Sequence, residues 1–110
     1  KNFKKYVCDS EEGDTHLTLK EIIPVRLLKN QFYQKIKKAY LENASTSDLI
    51  QLLGKGRAKK GIFEGDLIEG ELEIGQVSAM IDKMQTSAEI MNDLITEFNS
   101  IKSDLEYISL

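Results

Sequence analysis

Tryptophan is absent from these 110 residues, and cysteine, proline and histidine occur once each, as Cys8, Pro24 and His16. A single cysteine excludes an internal disulfide framework and points to a reducing compartment, so a cytoplasmic location is expected. One histidine without a cysteine pair supplies too few ligands for zinc, and no metal site is expected. As a general base His16 would need an oriented partner, which its polar neighbours do not announce, and Cys8 reads as an inert thiol. No run approaches 18 apolar residues, so no membrane role is expected. The opening residues KNFKK carry neither a secretory leader nor a helix cap, and the chain is expected to begin inside a longer polypeptide.

Charge is present in quantity but segregated. Between Arg26 and Lys60 nine Lys and Arg stand against Glu42 and Asp48. From Gly61 onward eleven acids stand against Lys83 and Lys102. Blocks of opposite sign satisfy one another readily within one fold. The basic block lacks aromatic interleaving and any nucleic-acid signature, so no nucleic-acid partner is expected. The acidic run Glu64, Asp66, Glu69, Glu71 and Glu73 does not fit the register of a calcium loop.

Six of the seven glycines fall between Gly54 and Gly75. Glycine clusters mark tight turns or close backbone approach, and here the spacing fits neither a Walker A loop nor a dinucleotide fingerprint. Arg57 with Lys59 and Lys60 can hold a phosphate or carboxylate; the simpler role for Arg57 is an ion pair with Glu64 or Asp66. Gln76 follows Gly75 at the start of a periodic segment. Its carboxamide suits either a planar ring such as a flavin or a cap on its own helix, and spacing alone favours the cap.

The element pattern is mostly α with a short extended amino-terminal segment. Residues 15–30 read as extended, with Leu17 and Leu19 alternating against Thr18 and Lys20, and with Pro24 interrupting or edging the strand. Phe32, Ile36 and Tyr40 predict a helix over 32–41. Ser47 or Thr46 is expected to cap a short helix over 48–53 that Gly54 closes. The region 54–75 is expected to be loop. Val77, Ile81, Met84, Ala88, Met91, Ile95 and Phe98 then step by four and three residues, the rhythm of a helix burying one face. Thr86 and Glu89 form a capping-box pair, which allows two helices divided near Gln85. The seam falters at Lys102 and recovers at Leu105 and Ile108. Packing of these helices on their own protein is the simpler expectation; a homo-oligomer through them is the other. One incomplete domain results, with 1–45 as extended segment plus helix and 46–110 as glycine-rich region plus long helices.

The stretch LLGKGRAKKGIFEGDLIEGELEIGQVSAMI, with TLKEIIPVRLLKN upstream, resembles the carboxy-terminal part of nitronate monooxygenases, once called 2-nitropropane dioxygenases. Their relatives include flavin-dependent enoyl-acyl-carrier-protein reductases. Pro24, Arg26 and Asn30 match one family element, Gly56, Arg57 and Ala58 a second, and Gly65, Asp66 and Gly70 a third. Gly75 and Gln76 match the family's GQ, which the resemblance places toward the flavin and substrate. Ser78 and Ala79 stand where many relatives carry glycine.

The resemblance implies a fragment of an α/β TIM barrel that binds FMN and oxidises alkyl nitronates with O2 to a carbonyl compound and nitrite. A barrel needs roughly 250 residues. The catalytic histidine and phosphate grip of the family would lie upstream, His16 does not align with that histidine, and no catalytic residue is expected within the chain. Its partners would be the remainder of the barrel and a small-molecule substrate, and alone it is expected to be inactive. Isolated, it is expected to self-associate or to leave residues 1–14 partly disordered. A small helical protein-interaction module is the alternative.

Overall fold

The computed structural model describes residues 1–108. Its elements are α1 (Asn2–Cys8), β1 (Thr15–Thr18), β2 (Val25–Leu28), α2 (Gln31–Leu41), α3 (Thr46–Leu53), α4 (Arg57–Ile62), a 3₁₀ helix (Gln76–Met80) and α5 (Ser87–Glu106). The chain is mostly helical, with one short β-hairpin near its amino terminus.

β1 and β2 pair antiparallel, Thr15 opposite Leu28 and Thr18 opposite Val25. The second edge of β2 is used as well, since the Leu28 N–H donates to the Leu72 carbonyl and the Ile74 N–H to that of Arg26. Residues 15–30 are thus two strands rather than one. Leu19 has φ 54°, a left-handed conformation that is an outlier for a bulky side chain. That reversal turns Leu19 inward, so Leu17 and Leu19 do not share a face. Thr18 and Leu19 are buried and Leu17 is exposed, contrary to the alternation read from sequence.

Successive residues of a strand point to opposite faces, and β2 uses this to build two small cores. Leu27 joins Leu19, Phe32, Ile36 and Leu49 on one side. Leu28 joins Phe3, Val7 and Leu72 on the other. α1 therefore has a packing role: Phe3 and Val7 are buried, and the Tyr6 hydroxyl donates to the Lys29 carbonyl at 3.1 Å. Of residues 1–14, expected to be partly disordered, 2–8 form this packed helix.

α2 begins where Asn30 caps it, its Oδ1 accepting from the Tyr33 N–H at 2.9 Å. α3 is capped by Ser45 in a capping box with Asp48, not by Thr46 or Ser47. Only Ser45 lies three residues before an acid able to reach back. The glycine-rich region is not all loop. It contains α4, entered through Gly56 at φ 72°, and the segment that pairs with β2.

The periodic segment from Val77 is divided, as the Thr86–Glu89 pair allowed. The 3₁₀ helix ends at Met80, residues 81–86 are non-helical, and Thr86 starts α5 with the capping box its spacing implied. α5 runs for 20 residues and buries none of them. Among the described residues nothing covers its apolar side chains, which face outward. The Cα radius of gyration is 18.6 Å, against about 13 Å for a compact domain of this length.

Candidate functional site

The glycines of the central segment are spent on packing. A Cβ on Gly61 would lie 2.8 Å from Leu72 Cδ2 and 3.1 Å from Gly70 Cα, and one on Gly70 would overlap the Gly61 backbone. Two glycines thus let α4 and the acidic loop touch backbone to backbone, and no ligand is needed to explain them.

Arg57 is committed in the same way. Its Nε donates to the Leu53 carbonyl at 2.7 Å and its Nη2 to that of Leu52 at 3.0 Å, closing the carboxyl end of α3. Its Nη1 donates to the Glu69 carbonyl at 2.8 Å, and its guanidinium carbon lies 4.3 Å from the centre of the Phe32 ring. The ion-pair partner is Glu69 at 3.5 Å, not Glu64 or Asp66. Those two acids take Lys59 and Lys60, at 3.8 and 3.0 Å. The basic and acidic blocks neutralise one another here, and three of the five Arg57 N–H donors go to backbone carbonyls.

Asp66 folds its own loop. Its Oδ1 accepts from the Glu69 and Ile68 N–H groups at 2.9 and 3.0 Å. The bond from Glu69, with Lys60 beside it, holds the carboxyl down at about 2. Asn30 spans to this loop as well, its Nδ2 donating to the Leu67 and Gly70 carbonyls at 3.0 and 2.8 Å. Arg26 donates across the hairpin to Thr15 Oγ1 at 3.0 Å. The motif residues from Arg26 through Gly70 are therefore the fasteners of the fold.

Gly75 and Gln76 differ from all of these. Both are exposed, a Cβ on Gly75 would meet nothing within 4 Å, and Gln76 makes no side-chain hydrogen bond to any described residue. The 3₁₀ helix has no side-chain cap, so the capping role favoured by spacing is corrected: the N-cap position falls on Gly75, which has no side chain, and Gln76 is already the first residue of the turn. Ser78, two residues on, is 1% exposed, and its hydroxyl is the one buried side-chain polar atom without a partner among the described residues. A glycine-poor GQVSA run gave no signal of that orphan.

A second concavity, of about 610 Å³, lies between the hairpin and α2. His16, Lys20, Glu21, Lys37 and Tyr40 line it, with Tyr33 beneath. His16 and Tyr33 meet ring to ring at 5.6 Å, and Tyr40 donates to Glu21 at 2.5 Å. That bond draws Glu21 below the usual carboxylate range, while burial, then Glu21, pushes the Tyr40 phenol up. The pair is a settled donor and acceptor, Tyr40 to Glu21. Tyr33, Lys37 and Tyr40 stand four and three apart on α2, a signal legible in the sequence but hidden by reading the same face as core. No group of three metal-ligating side chains exists among the described residues, and no helix there is long and apolar enough to cross a membrane.

No protein-family profile and no curated protein sequence matches the chain. Solved structures do. FabK from Thermotoga maritima superposes over 96% of this chain with a TM-score of 0.80 at 27% identity. A mutant form of the same protein does so over 96% with a TM-score of 0.72 at 25% identity. The fold is that of a segment of a TIM-barrel-like flavoenzyme. The chain spans about a third of those structures, 34% and 30% of their lengths.

Proposed function

We propose that this chain is the carboxy-terminal part of an FMN-dependent oxidoreductase, with nitronate oxidation by O2 as its chemistry. The observation that carries the flavin reading is the likeness to FabK over nearly the whole chain. The nitronate reading rests on GRAKKGIFEGD and EGELEIGQ, through the family resemblance they support. Two features of the structure fit a flavin at the Gly75–Gln76 edge. Space is open where a side chain at Gly75 would stand, and the Gln76 carboxamide has both a donor and an acceptor to offer.

FMN, when bound, would supply the electron-accepting ring. The chain's own contribution is positional: Gln76 would orient a ring edge or the substrate, and Gly75 would allow close backbone approach. The fastened core of Arg57, Asn30 and Asp66 would hold that edge still. The remainder of the barrel would complete the site and supply the group that takes the substrate proton.

The test is the native polypeptide, identified with an antibody against residues 75–110, then purified and assayed. A product long enough for a barrel, carrying FMN and releasing nitrite from an alkyl nitronate, is the expected result. A flavin-loaded product that reduces an enoyl thioester or a quinone instead would keep the oxidoreductase and replace the substrate. A native product of 110 residues without flavin would overturn the proposal. Gln76→Ala in the flavin-loaded protein is expected to weaken flavin or substrate binding roughly fivefold, the worth of one hydrogen bond.

A further inference from the structure

α5 is polar on one side and apolar on the other, and among the described residues its apolar side is left exposed. Ile90, Met91, Leu94, Ile95, Phe98, Ile101 and Leu105 are 46–67% exposed. Met91, Leu94, Phe98, Ile101 and Leu105 alternate steps of three and four residues, and Ile108, just beyond the helix, continues the spacing. This is the a and d pattern of a coiled coil. Counted through Leu94 and Ile101 instead of Ile95, the seam no longer breaks at Lys102, which moves to the flank. The outer positions are all polar: Asn92, Asp93, Thr96, Asn99, Ser100, Ser103 and Glu106. The ion pair of Lys83 with Asp93 and the hydrogen bond from Gln85 to Asp93 lie on that outer side and leave the seam free.

We propose that α5 pairs in parallel and in register with α5 of a second copy of this chain. The flanking residues decide both the occupant and the direction. With Met91 at an a position, Glu97 falls at g and Lys102 at the next e, while Ile90 falls at g and Ile95 at e. In a parallel pair each g residue faces the e residue five places on in the other helix. Glu97 then meets Lys102 of the second copy, Ile90 meets its Ile95, and the two-fold axis repeats each pair. An antiparallel pair would set Glu97 against Asp104 and Lys102 against Ile95, one repulsive and one mismatched contact. Within a single helix, residues five apart are not neighbours, so Glu97 and Lys102 gain nothing from each other in a monomer. Their complementarity has a use only across a seam.

The test is sedimentation of the 110-residue chain over a range of concentrations, with charge variants on the exposed flank. Reversible dimerisation is expected. Glu97→Lys and Lys102→Glu should each weaken it roughly tenfold, since two attractive pairs become repulsive, and the double exchange should restore it. On a Cys8→Ser background, Ile101→Cys should form a disulfide dimer with itself, because a parallel pair brings equal positions together. A monomer at every concentration would overturn the proposal. So would association indifferent to the charge exchange, as expected if α5 is covered by other parts of a longer protein. Cross-linking of Leu94→Cys to Leu105→Cys in a mixture, without self-linking at 101, would show antiparallel pairing and overturn it as well. None of these measurements reads flavin, so they stand apart from the enzymatic reading.

Discussion

A methyl group at position 70 has nowhere to go, because the Gly61 backbone already occupies its place. Gly70→Ala is therefore expected to cost about 3 kcal/mol, while Gly75→Ala, with open space and ordinary φ, should stay within about 0.5 kcal/mol. Urea unfolding of the two variants would separate a packing glycine from one that faces open space. Two carboxyls respond to pH in opposite directions. Asp66 sits at about 2 against an ordinary 3.8, so its contribution is full above pH 4 and lost as pH falls through 2. Asp66→Asn should lower the Tm at pH 7, with the gap closing between pH 4 and 2. Glu71 is 8% exposed, and burial, then Glu73, raises its carboxyl above 4.5 against the pull of Arg57. Its favourable state is the neutral one, full below pH 4.5 and lost as pH rises. Glu71→Gln should raise the Tm at pH 7 and leave it unchanged below pH 4, a reversal of the Asp66 result.

Elements here owe their boundaries to caps more than to periodicity. Thr86 Oγ1 accepts from the Glu89 N–H at 3.2 Å, and Glu89 returns the bond to the Thr86 N–H at 2.6 Å. With no buried face, α5 depends on this box for its start, since most helical stability in proteins comes from packing of an apolar face rather than from propensity. Thr86→Ala is expected to remove about 1 kcal/mol and to reduce far-ultraviolet helicity measurably. The same substitution at Ser45 should cost similar stability but little helicity, because Leu49 anchors α3 in the core. Equal losses of helicity from both variants would contradict that difference. The hairpin shows the opposite dependence: Leu19 keeps its left-handed backbone because burial among Leu27, Phe32 and Ile36 holds it there.

At the scale of the molecule, the packed part and α5 behave as different regimes. Residues around β2 bury two cores, whereas α5 extends the longest dimension to 59 Å. Small-angle scattering from the dilute chain should give a radius of gyration well above the roughly 13 Å of a compact domain. A compact value in dilute solution would mean that α5 folds back on its own protein. The chain spans about a third of the length of FabK, and within it the motif residues from Arg26 through Gly70 fasten the fold.

Local rules were sufficient for α2, for the Thr86–Glu89 box and for the mutual neutralisation of the charge blocks. These depend on residues within a few positions, or on composition. The mostly helical architecture with a short extended start was legible for the same reason, whereas the likeness to a barrel flavoenzyme came from the family resemblance of GRAKKGIFEGD and EGELEIGQ. The roles of Arg57, Gly61 and Gly70 were not. Whether an arginine grips a ligand or closes a helix depends on which carbonyls arrive beside it, and Leu52 and Leu53 reach it only through the turn at Gly54. The face of Leu19 and the exposure of α5 also turn on long-range packing, whereas the cap at Ser45 rests on a local signal, the acid three residues on at Asp48. Periodicity states that a helix has an apolar face; three-dimensional packing determines whether anything in the chain is there to cover it.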